Sequence, residues 1–285
     1  MERNTAGCLS LEEQRKRAHW SFSSLNQLLN ICSLQWAFQR VYKLQAAFTP
    51  VSLCFGSAFH RTMEWIGLSR MQGDWPEQSE AQEVFSDMFS RHLREEELVR
   101  FGEGQDESTL SRLGRGLVAC FVENMDREEE VTAVNYTFCA PLRTRSGLES
   151  VKPLIGEIDA VYRKDGQVLL IDWKTSARRW PVSQARKSLQ ATAMCYGYCH
   201  DNGVLPEFRF DVLVKNKTPV FEQHQVSRTQ DDFERLVRLA ERAESISRHY
   251  DFYPSEQGYY CAGCPYQEPC EAWHRKQGRM VSLAA

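Results

Sequence analysis

No apolar run in the 285-residue chain approaches the roughly 18 residues that a membrane-spanning helix needs, so no membrane partner is expected. The first residues, MERNTAGCLSLEEQRKR, lack the apolar core of a secretory leader, and a cytoplasmic location is the expectation. No Walker A pattern occurs, which argues against a nucleotide-driven motor in this chain. Excess positive charge is missing too. The 35 Lys and Arg against 38 Asp and Glu leave a net charge of −3. That sum does not suggest nucleic acid, but it excludes nothing, because local distribution matters more. Internal repeats and low-complexity segments are also absent.

Cysteine, by contrast, is plentiful at ten residues, a high count for a compartment that keeps thiols reduced. Cys8, Cys32, Cys54, Cys120, Cys139, Cys195 and Cys199 are scattered and read singly as small core residues. Cys261, Cys264 and Cys270 are clustered as C-x₂-C-x₅-C, with His274 four positions on. Thiolates at such spacing bind soft or borderline metals. Two readings stand: a Cys₃His zinc site within this segment, or a [4Fe–4S] cluster that takes a fourth thiolate from elsewhere.

Along the chain, residues 1–20 are polar and expected to be a flexible N-terminus. A helix is expected from Ser21, with apolar residues at helical spacing, and a second helix over 54–71, entered through Gly56. Acidic helices over 79–100 and 108–127 suggest a helical insertion at about 70–130. Strand-like segments follow at 132–142, 151–163 and 167–173, then a helix at about 183–201, two more strands, and a charged helix at about 229–249. This order gives an α/β or α+β core with a helical elaboration.

The most informative stretch is GEIDAVYRKDGQVLLIDWKTS (156–176). Two alternating apolar runs flank Asp-Gly, which signals an antiparallel hairpin. Asp172 and Lys174, two apart on a strand, share a face, and Asp159 on the first strand would lie opposite them. Two carboxylates and an ammonium converging beside an apolar run make either a paired charge cluster or a metal site. Hard cations such as Mg²⁺ take carboxylate oxygens, as Asp159 and Asp172 would supply. Directly after comes WKTSARRWPVSQARK (173–187), which holds five basic residues and no acidic one.

In this ordered set the sequence resembles the PD-(D/E)XK nucleases, specifically the RecB-like branch. The resemblance runs over about residues 21–275 and implies a restriction-endonuclease-like α/β core, a central mixed sheet flanked by helices. It implies metal-ligand roles for Asp159 and Asp172, a catalytic role for Lys174, and a position near the metal for the Trp173 carbonyl. GSAFHRTMEW (56–65) is similar to the family's first-helix motif, which makes His60 a further ligand of Mg²⁺ or Mn²⁺ and gives Glu64 the place of an acidic residue in that helix. Gln190 matches the glutamine of the family's Q-x-x-x-Y element. The tyrosine does not match, since Met194 stands in its place with Tyr196 and Tyr198 nearby.

RecB-like nucleases of the AddB and CRISPR-associated types carry one cysteine early and three late around an iron–sulfur cluster. The resemblance therefore implies a [4Fe–4S] staple on Cys32, Cys261, Cys264 and Cys270, with segment 254–275 closing the domain before a 276–285 tail and Zn²⁺ as the alternative. It further implies an exonuclease acting on single-stranded DNA or DNA ends, in repair, recombination or related processing. Arg178, Arg179, Arg186 and Lys187 are then expected to contact phosphates, with Trp180 stacking on a base. The alternative is a DNA-binding subunit of a helicase–nuclease complex, with little activity alone.

Overall fold

The structure is a computed structural model that describes residues 11–143, 152–256 and 258–275. The tail and Cys8 therefore lie outside the described residues. Leu11–Arg15 forms a short helix, α1, and Phe22–Asn26 forms α2, which runs into a π-helical turn at Gln27–Ile31. Ser33–Arg40 is α3. A single helix from Ser21 was expected, but Cys32 is extended (φ −164°, ψ 114°) and separates the π turn from α3. The segment before Ser21 also departs from expectation, since Trp20 is 1% exposed. Its N–H donates to the Pro153 carbonyl and its own carbonyl accepts from Ile155 N–H. Burying an indole stabilises by roughly 2–3 kcal/mol, enough to hold a polar segment in place.

Thr49–Pro50 is β1, and Val51–Met71 is α4. Pro50, extended at ψ 133°, is the N-cap, so Gly56 lies inside the helix and is not its entrance. Gln78–Glu95 (α5), Val99–Arg100 (β2) and Glu107–Glu123 (α6) make the expected helical insertion. The sheet strands are Glu130–Ala140 (β3), Leu154–Lys164 (β4) and Gln167–Ser176 (β5). Val182–Arg186 (α7) and Leu189–Asn202 (α8) replace the single helix expected there, because Ser188 breaks it and N-caps α8 through Ala191 N–H. Glu207–Val214 (β6), Val220–Val226 (β7), Gln230–His249 (α9), Gly258–Cys261 (α10) and Gln267–Arg275 (α11) follow.

The five strands lie in the order β3-β4-β5-β6-β7. All pairs are antiparallel except β5–β6, which is parallel and spans the α7–α8 crossover. The β4–β5 turn is Asp165-Gly166, both at positive φ (51° and 76°), as the sequence Asp-Gly favours. One face of the sheet packs on α2, α3, α8 and α9 around Leu25, Phe38, Phe138 and Phe208. The other packs on α4, α5 and α6 around Phe59, Phe85, Tyr162 and Trp173. Phe138 explains two glycines: a Cβ on Gly156 or Gly197 would come within 2.4 and 2.2 Å of its ring. Those absent side chains let α8 approach the sheet closely.

Candidate active site

The β4–β5 ladder ends at Ala160↔Ile171. Beyond that pair the strands part, and the polar residues that follow on each face the gap. Asp159 would have paired next with Asp172; instead its Oδ2 accepts the N–H of Trp173 at 2.8 Å. Strand alternation sends Trp173 into the core beneath α4, at 1% exposure, and holds Asp172 and Lys174 on the opposite face.

Three elements complete the arrangement. From α4, His60 Nδ1 lies 3.2 Å from Asp159 Oδ2. On β5, Lys174 Nζ lies 2.6 Å from Asp172 Oδ2. Gln190, in the first turn of α8, donates from Nε2 to Asp172 Oδ1 at 2.5 Å. Asp172 Oδ2 is buried, and its partner is the Lys174 ammonium. The sequence-expected residues His60, Asp159, Asp172, Trp173, Lys174 and Gln190 are therefore brought together.

The electrostatics are unequal. Burial lifts Asp172 to about 6, Asp159 adds to the rise, and Lys174 only partly offsets it. Burial also works against ionising Asp159, but His60, Lys174 and the Trp173 N–H outweigh it and hold that carboxyl below its usual range. His60 and Lys174 are raised against the cost of burial by the same carboxylates. Asp172 is thus the group whose charge is least favoured, and a cation would favour it most. Two carboxylates and an imidazole are a donor set suited to Mg²⁺ or Mn²⁺. The side chains are closed on one another, and among the described residues no group of three or more His, Cys, Asp or Glu forms a ready-made metal cage.

Other expected residues lie elsewhere. Glu64 pairs with Arg61 at 2.7 Å. Tyr196 donates to the Pro141 carbonyl, and Tyr198 packs on Tyr136. Arg178, Arg186 and Lys187 are exposed beyond the end of β5. Arg179 is paired with Glu222 of β7 at 3.2 Å, and the Trp180 ring lies against Phe210 and His224. The run that lacks acid in sequence thus receives its acid from another strand. Cys32, Cys261, Cys264 and Cys270 line one pocket of about 320 Å³, with Gln35 and His274.

The fold has counterparts among solved structures. It is similar to that of a candidate exonuclease from Eubacterium rectale, at 10% identity and a TM-score of 0.52, covering 100% of this chain and 96% of that one. A second solved structure, SSO0001, matches at 14% identity over 80% of this chain and 87% of its own, with a TM-score of 0.38. No curated protein matches by sequence. The PD-(D/E)XK nuclease superfamily model matches residues 19–271, which span the described five-stranded sheet and His60, Asp159, Asp172, Trp173, Lys174 and Gln190. The chain belongs to the PD-(D/E)XK nuclease superfamily.

Proposed function

We propose that this protein is a metal-dependent deoxyribonuclease of the RecB-like type, acting as an exonuclease on single-stranded DNA or DNA ends. The observation that carries this reading is the convergence of His60, Asp159, Asp172, Lys174 and Gln190 at the point where β4 and β5 part. Asp159, Asp172 and His60 would hold Mg²⁺ or Mn²⁺. When bound, the ion neutralises phosphate charge and lowers the pKa of an attacking water.

The chain's own groups account for the rest. Gln190 fixes the Asp172 carboxylate through its amide hydrogen bond. The Trp173 N–H fixes Asp159 from the backbone. Lys174, kept charged by the two carboxylates, orients the water and donates to phosphate oxygens as negative charge builds on them. Water adds to phosphorus, the bond to the leaving oxygen breaks, and that oxygen takes up a proton.

Within the same reading, Cys32, Cys261, Cys264 and Cys270 carry a [4Fe–4S] cluster that staples the early chain to its end, with zinc on the late cysteines and His274 as the alternative. Support comes from the shared pocket, which all four cysteines line although Cys32 is more than 220 residues from the rest. Both proposals are tested on anaerobically purified protein by iron and zinc content and by decay of end-labelled single-stranded DNA in Mn²⁺, wild type beside Lys174→Ala. Cleavage by wild type alone supports the nuclease. Equal cleavage by both refutes the assigned site, and DNA binding without cleavage by either favours the helicase-associated subunit.

A further inference from the structure

A pocket of about 430 Å³ opens beside the catalytic gap, and among its lining residues Arg15, His19 and Arg40 belong to no motif. Its wall on the catalytic side is Gln190, which bonds Asp172, and Glu157, two residues before Asp159 on β4. Met194, one turn beyond Gln190, lies beside them. The opposite wall is basic: Arg15 of α1, His19, and Arg40 at the end of α3. The volume falls in the range of about 300–1,000 Å³ typical of small-ligand sites.

The three basic groups are differently engaged. Arg15 reaches across to Glu157 at 3.4 Å and is 60% exposed, so little holds it there. The Nδ1 of His19 lies 2.7 Å from the Arg17 carbonyl. Arg40 has no carboxylate partner among the described residues, and its Nε is buried without a hydrogen bond. A guanidinium Nε deprived of water and partner is costly, and an anion in the pocket would satisfy it. The only carboxylate that lines the pocket among the described residues, Glu157, is already opposed by Arg15 and lies close to Arg61. Two cations and an imidazole that line one pocket with Gln190, itself bonded to Asp172, suit a second phosphate of the strand whose cleavage is proposed.

We propose that this pocket seats the nucleotide next to the scissile phosphate, with Arg15, His19 and Arg40 holding its own phosphate. The proposal rests on the nuclease reading for the word scissile, but it is tested without cleavage. A fluorescent six-nucleotide oligothymidylate is bound to the full chain in chelator at several salt concentrations. Against wild type, Arg15→Gln/Arg40→Gln is expected to bind at least tenfold more weakly, with the salt slope reduced by about 0.7 for each phosphate no longer neutralised. Arg40→Lys is expected to recover most of the slope. Unchanged affinity and slope would overturn the pocket. Arg15→Gln alone, at an exposed site, guards against a folding artefact.

A second arm replaces one phosphate at a time by a neutral methylphosphonate. Wild type is expected to lose affinity most at the position adjoining its Mn²⁺ cleavage site, and the double variant to show no such loss. An equal loss in both proteins would overturn the assignment. Absence of cleavage in Mn²⁺ would sink the nuclease reading, while the salt slope would still decide the pocket.

Discussion

Two buried charge clusters lie on opposite faces of adjacent strands, one built around Asp172 and the other around Arg209. Register places Ile171 beside Arg209, Asp172 beside Phe210, and Trp173 beside Asp211, so alternation turns the two clusters to opposite sides of the sheet. On the α4 side, the Arg209 guanidinium donates to Glu129 and Asp211 through both ends of its fork, at 2.7 to 3.1 Å apart from one shorter bond. All three side chains are at least 93% buried. Around Asp172, Lys174 pairs with Oδ2 and Gln190 of α8 donates to Oδ1, while Lys174 and His60, which reaches in from α4, remain partly exposed. Each cluster holds an aspartate lifted to about 6, principally by burial. A perturbed pKa therefore does not separate them. Exposure does: Lys174 and His60 of the Asp172 cluster reach solvent, while every member of the Arg209 cluster is shut away from it.

The sharpest break between the clusters is expected from Asp172→Asn. Cleavage should fall by roughly 10²–10³-fold or more, while urea unfolding shows unchanged or higher stability, since a buried carboxylate has been removed. Arg209→Met should do the reverse. It strands two buried carboxylates at a cost of about 3–5 kcal/mol, read by urea unfolding, and replacing Glu129 and Asp211 as well by apolar residues should restore most of that loss.

The pH dependence of stability separates the pair further. Asp211 binds its proton more tightly when folded, so its contribution is full below pH 3.8 and is lost as pH rises through about 6. The span is worth about 3 kcal/mol, and Asp211→Asn should flatten that part of the curve. Asp172 should behave alike in chelator, but Mn²⁺ should abolish its share and leave that of Asp211 intact. The smallest effect is expected at Gln190→Leu. Loss of the amide that positions Asp172 should cost about tenfold in cleavage, partly recovered at higher Mn²⁺.

The contrast also shows what a linear sequence can convey. Asp159, Asp172 and Lys174 are legible because one hairpin carries them, with Asp165-Gly166 fixing the register. Their partners His60 and Gln190 come from family resemblance, since nothing local marks a histidine or glutamine on a helix as a ligand. The Glu129–Arg209–Asp211 cluster has no sequence signature, because Glu129 and Arg209 are 80 positions apart and each looks like an ordinary surface charge. The basic run after Trp173 shows the same limit, since Glu222, which pairs with Arg179, arrives on β7. Arg15, His19 and Arg40 carry no periodic or spacing signal at all. Even the N-terminal segment reads as merely polar, although Trp20 bridges to Leu154 at the start of β4.

Helix α3 joins two parts of the molecule that the sequence keeps far apart. Its first turn is tied to the chain 220 residues later: Ser33 Oγ donates to the Tyr253 carbonyl and accepts from the Tyr253 N–H, each at 2.9 Å. Cys32, its N-cap, opens onto the cysteine pocket, and Arg40, its last residue, opens onto the pocket beside the catalytic gap. Eight residues make a rod of about 12 Å without an internal joint. The geometry is that of a mechanical interlock. A chain cut before Tyr253 loses the contact that holds the first turn of α3, the helix that carries Cys32 at one end and Arg40 at the other.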